Sequence, residues 1–150
     1  MSRSGYSDDY DTTDNVWRGA VASAMRGKRG QAFLREMLVA LDEMPRERLI
    51  RSALYQDGEV CALGAVGVRR MVSMDDLDPN EQSDVAAFFG IAGAMAAEIA
   101  YQNDDATPCS ETPEQRFVRM RAWVVSQIRQ EAKPRATPRS KLPRRSSSAT

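Results

Sequence analysis

The run Thr112-Pro113-Glu114-Gln115 limits the fold more than any other stretch of the chain. A threonine at the N-cap accepts a free backbone N–H, proline at the first helical position has no N–H to leave unpaired, and Gln115 reaches back to complete a capping box. Phe117, Met120, Val124 and Ile128 follow at spacings of three and four, so the helix that starts here carries one buried stripe. Trp123 stands at its edge and Pro134 is its expected stop. The same period recurs in Phe33, Leu34, Met37, Leu38 and Leu41, until Pro45 disfavours helical geometry in the residue before it. Helices with one apolar stripe bury it against one another, so the expected fold is mainly α, a compact bundle of about five to six short helices.

Other local signals divide the chain into a helical domain over residues 15–132, a flexible acidic tail over 1–14 and a disordered basic Pro/Ser/Arg tail over 133–150. Asp14 reads as the N-cap of a first helix, with Val16, Ala20 and Ala24 on one face, and Gly27-Lys28-Arg29-Gly30 interrupts it. Residues 46–60 admit two readings. Arg46–Tyr55 forms a short helix followed by a turn, or Leu49-Ile50 pair across Asp57-Gly58 in a small hairpin; the helix and turn are preferred. Glu59–Met71 reads as a helix whose Ala62, Gly64, Ala65 and Gly67 permit close backbone approach. A polar turn at Asp75–Asn80, a helix Glu81–Phe89 closed by Gly90, a helix Ala92–Tyr101 and a loop Gln102–Ser110 complete the domain.

Composition then removes functions. The 150 residues include no histidine, which excludes Ser-His-Asp and Cys-His catalysis and His-ligated zinc. Cys61 and Cys109 lie far apart without a CxxC partner and read as reduced thiols, with Cys61 packing as a small hydrophobe. No apolar run approaches the roughly 18 residues of a membrane span, and the acidic N-terminus lacks a signal-peptide core, so the expected location is the cytoplasm. No nucleophile stands beside a base, and no nucleotide, metal or cofactor motif occurs; the chain reads as a non-enzyme with no cofactor.

A net charge of zero hides strong segregation: residues 61–115 are net −8, whereas residues 133–150 hold six basic groups and no acid. Such asymmetry steers partners, or is satisfied internally by the basic last helix lying on the acidic middle.

Three local patterns have functional readings. Gly27-Lys28-Arg29-Gly30 has the glycine spacing of a phosphate-clamping GxxG loop, with Arg18, Arg26 and Arg35 nearby to extend the patch, although the sheet of a KH domain is missing. Its plainer reading is a helix break with solvated cations. Ala86, Gly90 and Ile99 suit a helix-turn-helix, but Ala92–Ile99 offers one carboxylate and no residue able to read a base edge. Asp76–Glu81 alternates oxygen donors but lacks the glycine of a calcium loop, and Asp78-Pro79 there also reads as a helix start.

The segments Trp17–Ala20, Arg26–Leu34, Glu59–Gly67, Phe89–Ile91, Glu98–Tyr101 and Glu111–Glu114 resemble a group of small phage- and prophage-encoded proteins of uncharacterised activity. The resemblance spans residues 6–128 and implies provenance, a phage accessory gene acting in a bacterial cytoplasm; it brings no catalytic residue, cofactor or fold. The expected function is non-catalytic binding of a host or phage macromolecule, in the first instance a protein. The alternative is nucleic-acid binding by Arg26, Lys28, Arg29 and Arg35 with the basic tail.

Overall fold

Capping and apolar spacing produce six helices and one hairpin in the computed structural model, which describes residues 3, 14–107 and 110–129. The basic tail, Cys109, Pro134 and all of residues 1–13 except Arg3 lie outside the described residues. In chain order the elements are α1 (Asp14–Arg26), α2 (Lys28–Asp42), β1 (Tyr55–Gln56), β2 (Glu59–Val60), α3 (Ala62–Arg69), α4 (Gln82–Phe89), α5 (Gly93–Asp104) and α6 (Pro113–Gln127). The mainly helical expectation holds.

The expected capping box of α6 is present: Gln115 N donates to Thr112 Oγ1 at 3.1 Å, and Thr112 N donates to Gln115 Oε1 at 2.9 Å. Its stripe of Phe117, Met120 and Val124 is buried, as are Phe33, Leu34, Met37 and Leu41 of α2. Those stripes meet the apolar faces of α3, α4 and α5 in one core. Helix α5 packs against α1, α3, α4 and α6, and its Met95, Ala96 and Ile99 are fully enclosed.

Small residues set the closest approaches. A Cβ on Gly30 would run into the Ala24 carbonyl oxygen, so this glycine lets α2 fold back tightly against α1. Gly64 does the same for α3, facing the Leu54 carbonyl oxygen. Cys61 is buried as expected, and it also caps α3, its Sγ accepting from Gly64 N at 3.4 Å.

Several element boundaries differ from expectation, and α6 ends at Gln127, short of Pro134. Residues 46–54 are not helical: Asp57 (φ 53°) and Gly58 (φ 81°) make a tight turn, and Tyr55 pairs with Val60 and Gln56 with Glu59. Two successive positive φ values are what an Asp-Gly hairpin turn requires. Leu49-Ile50 do not pair across that turn, because Leu49 N donates to Pro113 O and Ile50 N to the outer edge of the hairpin at Val60 O. With Glu59-Val60 in a strand, α3 begins at Ala62 rather than Glu59. Pro79 starts no helix, since Asp78 Oδ1 accepts from Asn80 N at 2.9 Å in a local turn and α4 opens at Gln82. Helix α5 runs on to Asp104 through residues read as loop, and α1 includes Asp14 rather than being capped by it.

Gly64→Ala is expected to lower the midpoint of thermal unfolding by several degrees, because backbone must move to admit the methyl group, at about 1–3 kcal/mol. Gly93→Ala, which meets no neighbour within 4 Å, is expected to leave the midpoint unchanged or raise it. Circular dichroism melts of both variants check the pair.

Candidate functional site

The four cations singled out from the sequence do come together, but not on a loop. Only Gly27 lies outside helical structure; Arg26 closes α1, and Lys28 and Arg29 form the first turn of α2. The GxxG segment is therefore a one-residue break between two helices, and its second glycine serves packing rather than a ligand. Arg26 Nε donates back to Ala22 O at 3.2 Å, while Lys28, Arg29 and Arg35 are exposed. Arg129, which sequence reading did not single out, joins them: Arg35 Nη2 donates to Arg129 O at 3.0 Å.

Gln31 organises this end of the molecule. Its Nε2 donates to Met25 O at 2.7 Å and to Gln127 O at 2.9 Å, and its Oε1 accepts from Arg129 N at 2.7 Å. One buried side chain thus ties together the end of α1, the start of α2 and the end of α6. An amide with both donor and acceptor is needed to serve two carbonyls and one N–H.

Helices α4 and α5 are inclined at 105° across Gly90 (φ 72°), Ile91 and Ala92. That angle and the left-handed glycine match a helix-turn-helix. The second helix nevertheless buries Met95, Ala96, Ala97, Ile99 and Ala100, and its partly exposed side carries Ala94, Glu98, Tyr101 and Gln102, with no cation to meet phosphate. Neither helix, nor any other single described helix, is long and apolar enough to cross a membrane.

At the other end of α2 lies an open groove of about 620 Å³ between α2, the hairpin and α3. Ala40, Met44, Pro45, Tyr55, Val60 and Val68 supply its apolar lining. Two ion pairs stand at its rim, Arg69 Nε to Glu43 Oε2 at 3.2 Å and Arg48 Nε to Glu59 Oε1 at 2.9 Å. Arg46 and Asp57 are exposed beside them. Tyr55 and Val68 are each 51% exposed, and a few residues further along the chain stand Val72 and Met71, the latter 92% exposed.

A third feature was invisible to sequence reading. The sequence assigns Arg3 to the acidic tail, yet it is buried, with Nε and Nη2 donating to the Asp104 carboxylate at 2.6 and 2.8 Å and Nη1 reaching Cys61 Sγ at 3.7 Å. Its carbonyl accepts from Gln82 Nε2. Asp104 also accepts from Ser52 N at 3.2 Å and from Asn103 Nδ2 at 2.8 Å. Burial pushes the Asp104 carboxyl upward, but the hydrogen bond and charge of Arg3, with the Asn103 and Ser52 donors, outweigh it and hold the group below its ordinary value. Nearby, burial depresses the Arg116 guanidinium, whose Nη1 donates to Leu49 O at 2.9 Å. No signal short of the fold links positions 3, 52 and 104.

Among the described residues no group of three or more Cys, Asp or Glu is placed to hold a metal ion. In the acidic stretch Asp76–Glu81, the Asp78 carboxylate is engaged with the Asn80 amide. No protein-family model, curated protein or solved structure matches the chain.

Two measurements follow from this geometry. Cations in the first turn of α2 oppose its macrodipole, so Lys28→Glu/Arg29→Glu is expected to raise stability by about 0.3–1 kcal/mol per residue at low salt, read as a higher urea midpoint. The Asp104 carboxyl titrates lower in the native chain than its unfolded value near 3.9, so it contributes stability that is fully present above about pH 5 and is lost as pH falls below about 4 and through the lower native value. Asp104→Asn is expected to cost about 2 kcal/mol at pH 7, and its deficit against the parent is expected to shrink below about pH 4 in urea titrations at stepped pH.

Proposed function

We propose that the chain is a non-catalytic accessory protein of a phage or prophage, acting in the bacterial cytoplasm by binding another protein. The groove between α2, the hairpin and α3 supports this reading. Its lining includes the exposed apolar side chains of Tyr55 and Val68, and Met71 and Val72 stand exposed a few residues further along the chain, side chains that water would otherwise surround. Exposed apolar surface of this kind marks protein–protein contact rather than small-molecule binding, which needs an enclosed site with converging polar groups. Rim charges of both signs, Arg46 and Asp57, set the register of the partner segment. The occupant is a segment of a second protein with one or two apolar anchors flanked by an acid and a base.

The test compares the full chain with Tyr55→Ala/Val68→Glu and with Val118→Glu, an exposed apolar position on α6 away from the groove. Each is used as bait in nuclease-treated lysates of host and phage-infected cells. A stoichiometric partner held by the parent and by Val118→Glu, but lost by the groove variant, is the expected result. A partner retained by the groove variant, or none at all, overturns the reading.

A further inference from the structure

A different surface, independent of the groove, has its own chemistry. We infer that the end of the molecule where α1, α2 and α6 meet is a binding surface for the phosphate backbone of a nucleic acid. Among the described residues, Arg3, Arg48, Arg69, Arg70, Arg116, Arg119 and Arg121 each meet a carboxylate within 3.4 Å. Among the described residues Arg26, Lys28, Arg29, Arg35 and Arg129 meet none, and nor does Arg46 at the groove. These five cations come from α1, α2 and the segment just after α6, yet they are drawn together because Gln31 ties Met25, Gln127 and Arg129 to one another.

Concentrating like charge costs self-repulsion, and nothing in the described structure offsets it. A polyanion would. Four of the five are arginines, whose planar fork matches a phosphate's two oxygens better than an ammonium does. The chain also continues from Arg129 toward residues 133–150, which hold six basic residues and no acid. The patch reads phosphates and not bases: Arg26, Lys28, Arg29 and Arg129 stand at helix ends and Arg35 midway along α2, and the partly exposed positions of α5, Ala94, Glu98, Tyr101 and Gln102, include no cation. Binding is therefore expected to be independent of base sequence.

The experiment uses the full chain and fluorescence anisotropy on a fluorescent duplex and a single strand of random sequence, from about 50 to about 200 mM salt. Lys28→Glu/Arg29→Glu is compared with Arg69→Glu/Arg121→Glu, which changes net charge equally at the opposite end of α2, about 20 Å away. New carboxylates in the first turn of α2 favour the helix, so lost binding in the first variant does not report misfolding. The expected result is at least a tenfold loss for the patch variant and a duplex salt slope shallower by about 2, with less than about threefold loss for the control.

Four outcomes would overturn the inference: no binding at about 50 mM salt, equal losses in both variants, no loss in the patch variant, or competition by polyglutamate or phosphatidylglycerol vesicles as strong as by DNA at equal charge. Loss of nucleic-acid binding with retention of a groove partner separates this site from the protein-binding one.

Discussion

Two adjacent side chains at the end of α5, Asn103 and Asp104, hold together the part of the fold that has almost no regular structure. Residues 43–54 have no ladder to satisfy their backbone groups, and a buried unpaired N–H or C=O is costly. Asn103 Nδ2 donates to Ile50 O at 2.9 Å while its Oδ1 accepts from Ala62 N at 3.2 Å, so one amide serves both the irregular segment and the first turn of α3. Asp104 takes the Ser52 amide, at a residue with φ 66°, and the Arg3 guanidinium. Leu49, fully buried, is fastened through its N–H to Pro113 O and through its carbonyl to Arg116. The groove wall made by the hairpin is therefore positioned from α5 and α6, not by the two-residue strands themselves.

Arginine is used in two ways along this chain. Paired arginines join elements: Arg70 clamps Glu36 through two bonds of 2.6 and 2.8 Å, lies 5.6 Å from the Phe33 ring centroid and donates to Phe89 O, linking α2, the end of α3 and α4. That bond holds the Glu36 carboxyl below its usual range, although the pair is partly exposed and contributes modestly to stability. Arg119 and Arg116 of α6 reach Glu111, so the basic last helix does satisfy part of the acidic middle stretch. Arg26, Lys28, Arg29, Arg35 and Arg129 have no carboxylate partner among the described residues. Helix α2, with 15 residues, separates the two surfaces, cations at its N-terminal end and the apolar groove at its C-terminal end.

Where a signal was local, sequence reading recovered it. The Thr112 capping box, the α2 stripe, the Gly90 stop and the close approach at Gly64 each depend on residues within a few positions of one another. The Asp57-Gly58 hairpin was also legible, as the less favoured of two readings that sought the partners of Leu49-Ile50 locally. Their partners are Pro113, Val60, Asn103 and Arg116, so the period of the segment carries no information about its conformation. Helix α5 extended past Tyr101 for a related reason. Asn103 and Asp104 look like loop residues by composition, and only their buried partners make a helical ending favourable.

By itself, the sequence determined the helical class and most of the stripes the helices bury, because 3.6-residue spacing and caps act over one or two turns. It also determined the absence of imidazole chemistry and the segregation of charge. Tertiary structure alone decided which cations are paired and which are left together, that Arg129 stands beside Arg35, and that Arg3 meets Asp104 from 101 positions away. The reason is one of range. Hydrogen bonds and ion pairs act over a few ångströms of space, and distance along the chain does not report distance in space until the apolar stripes have packed.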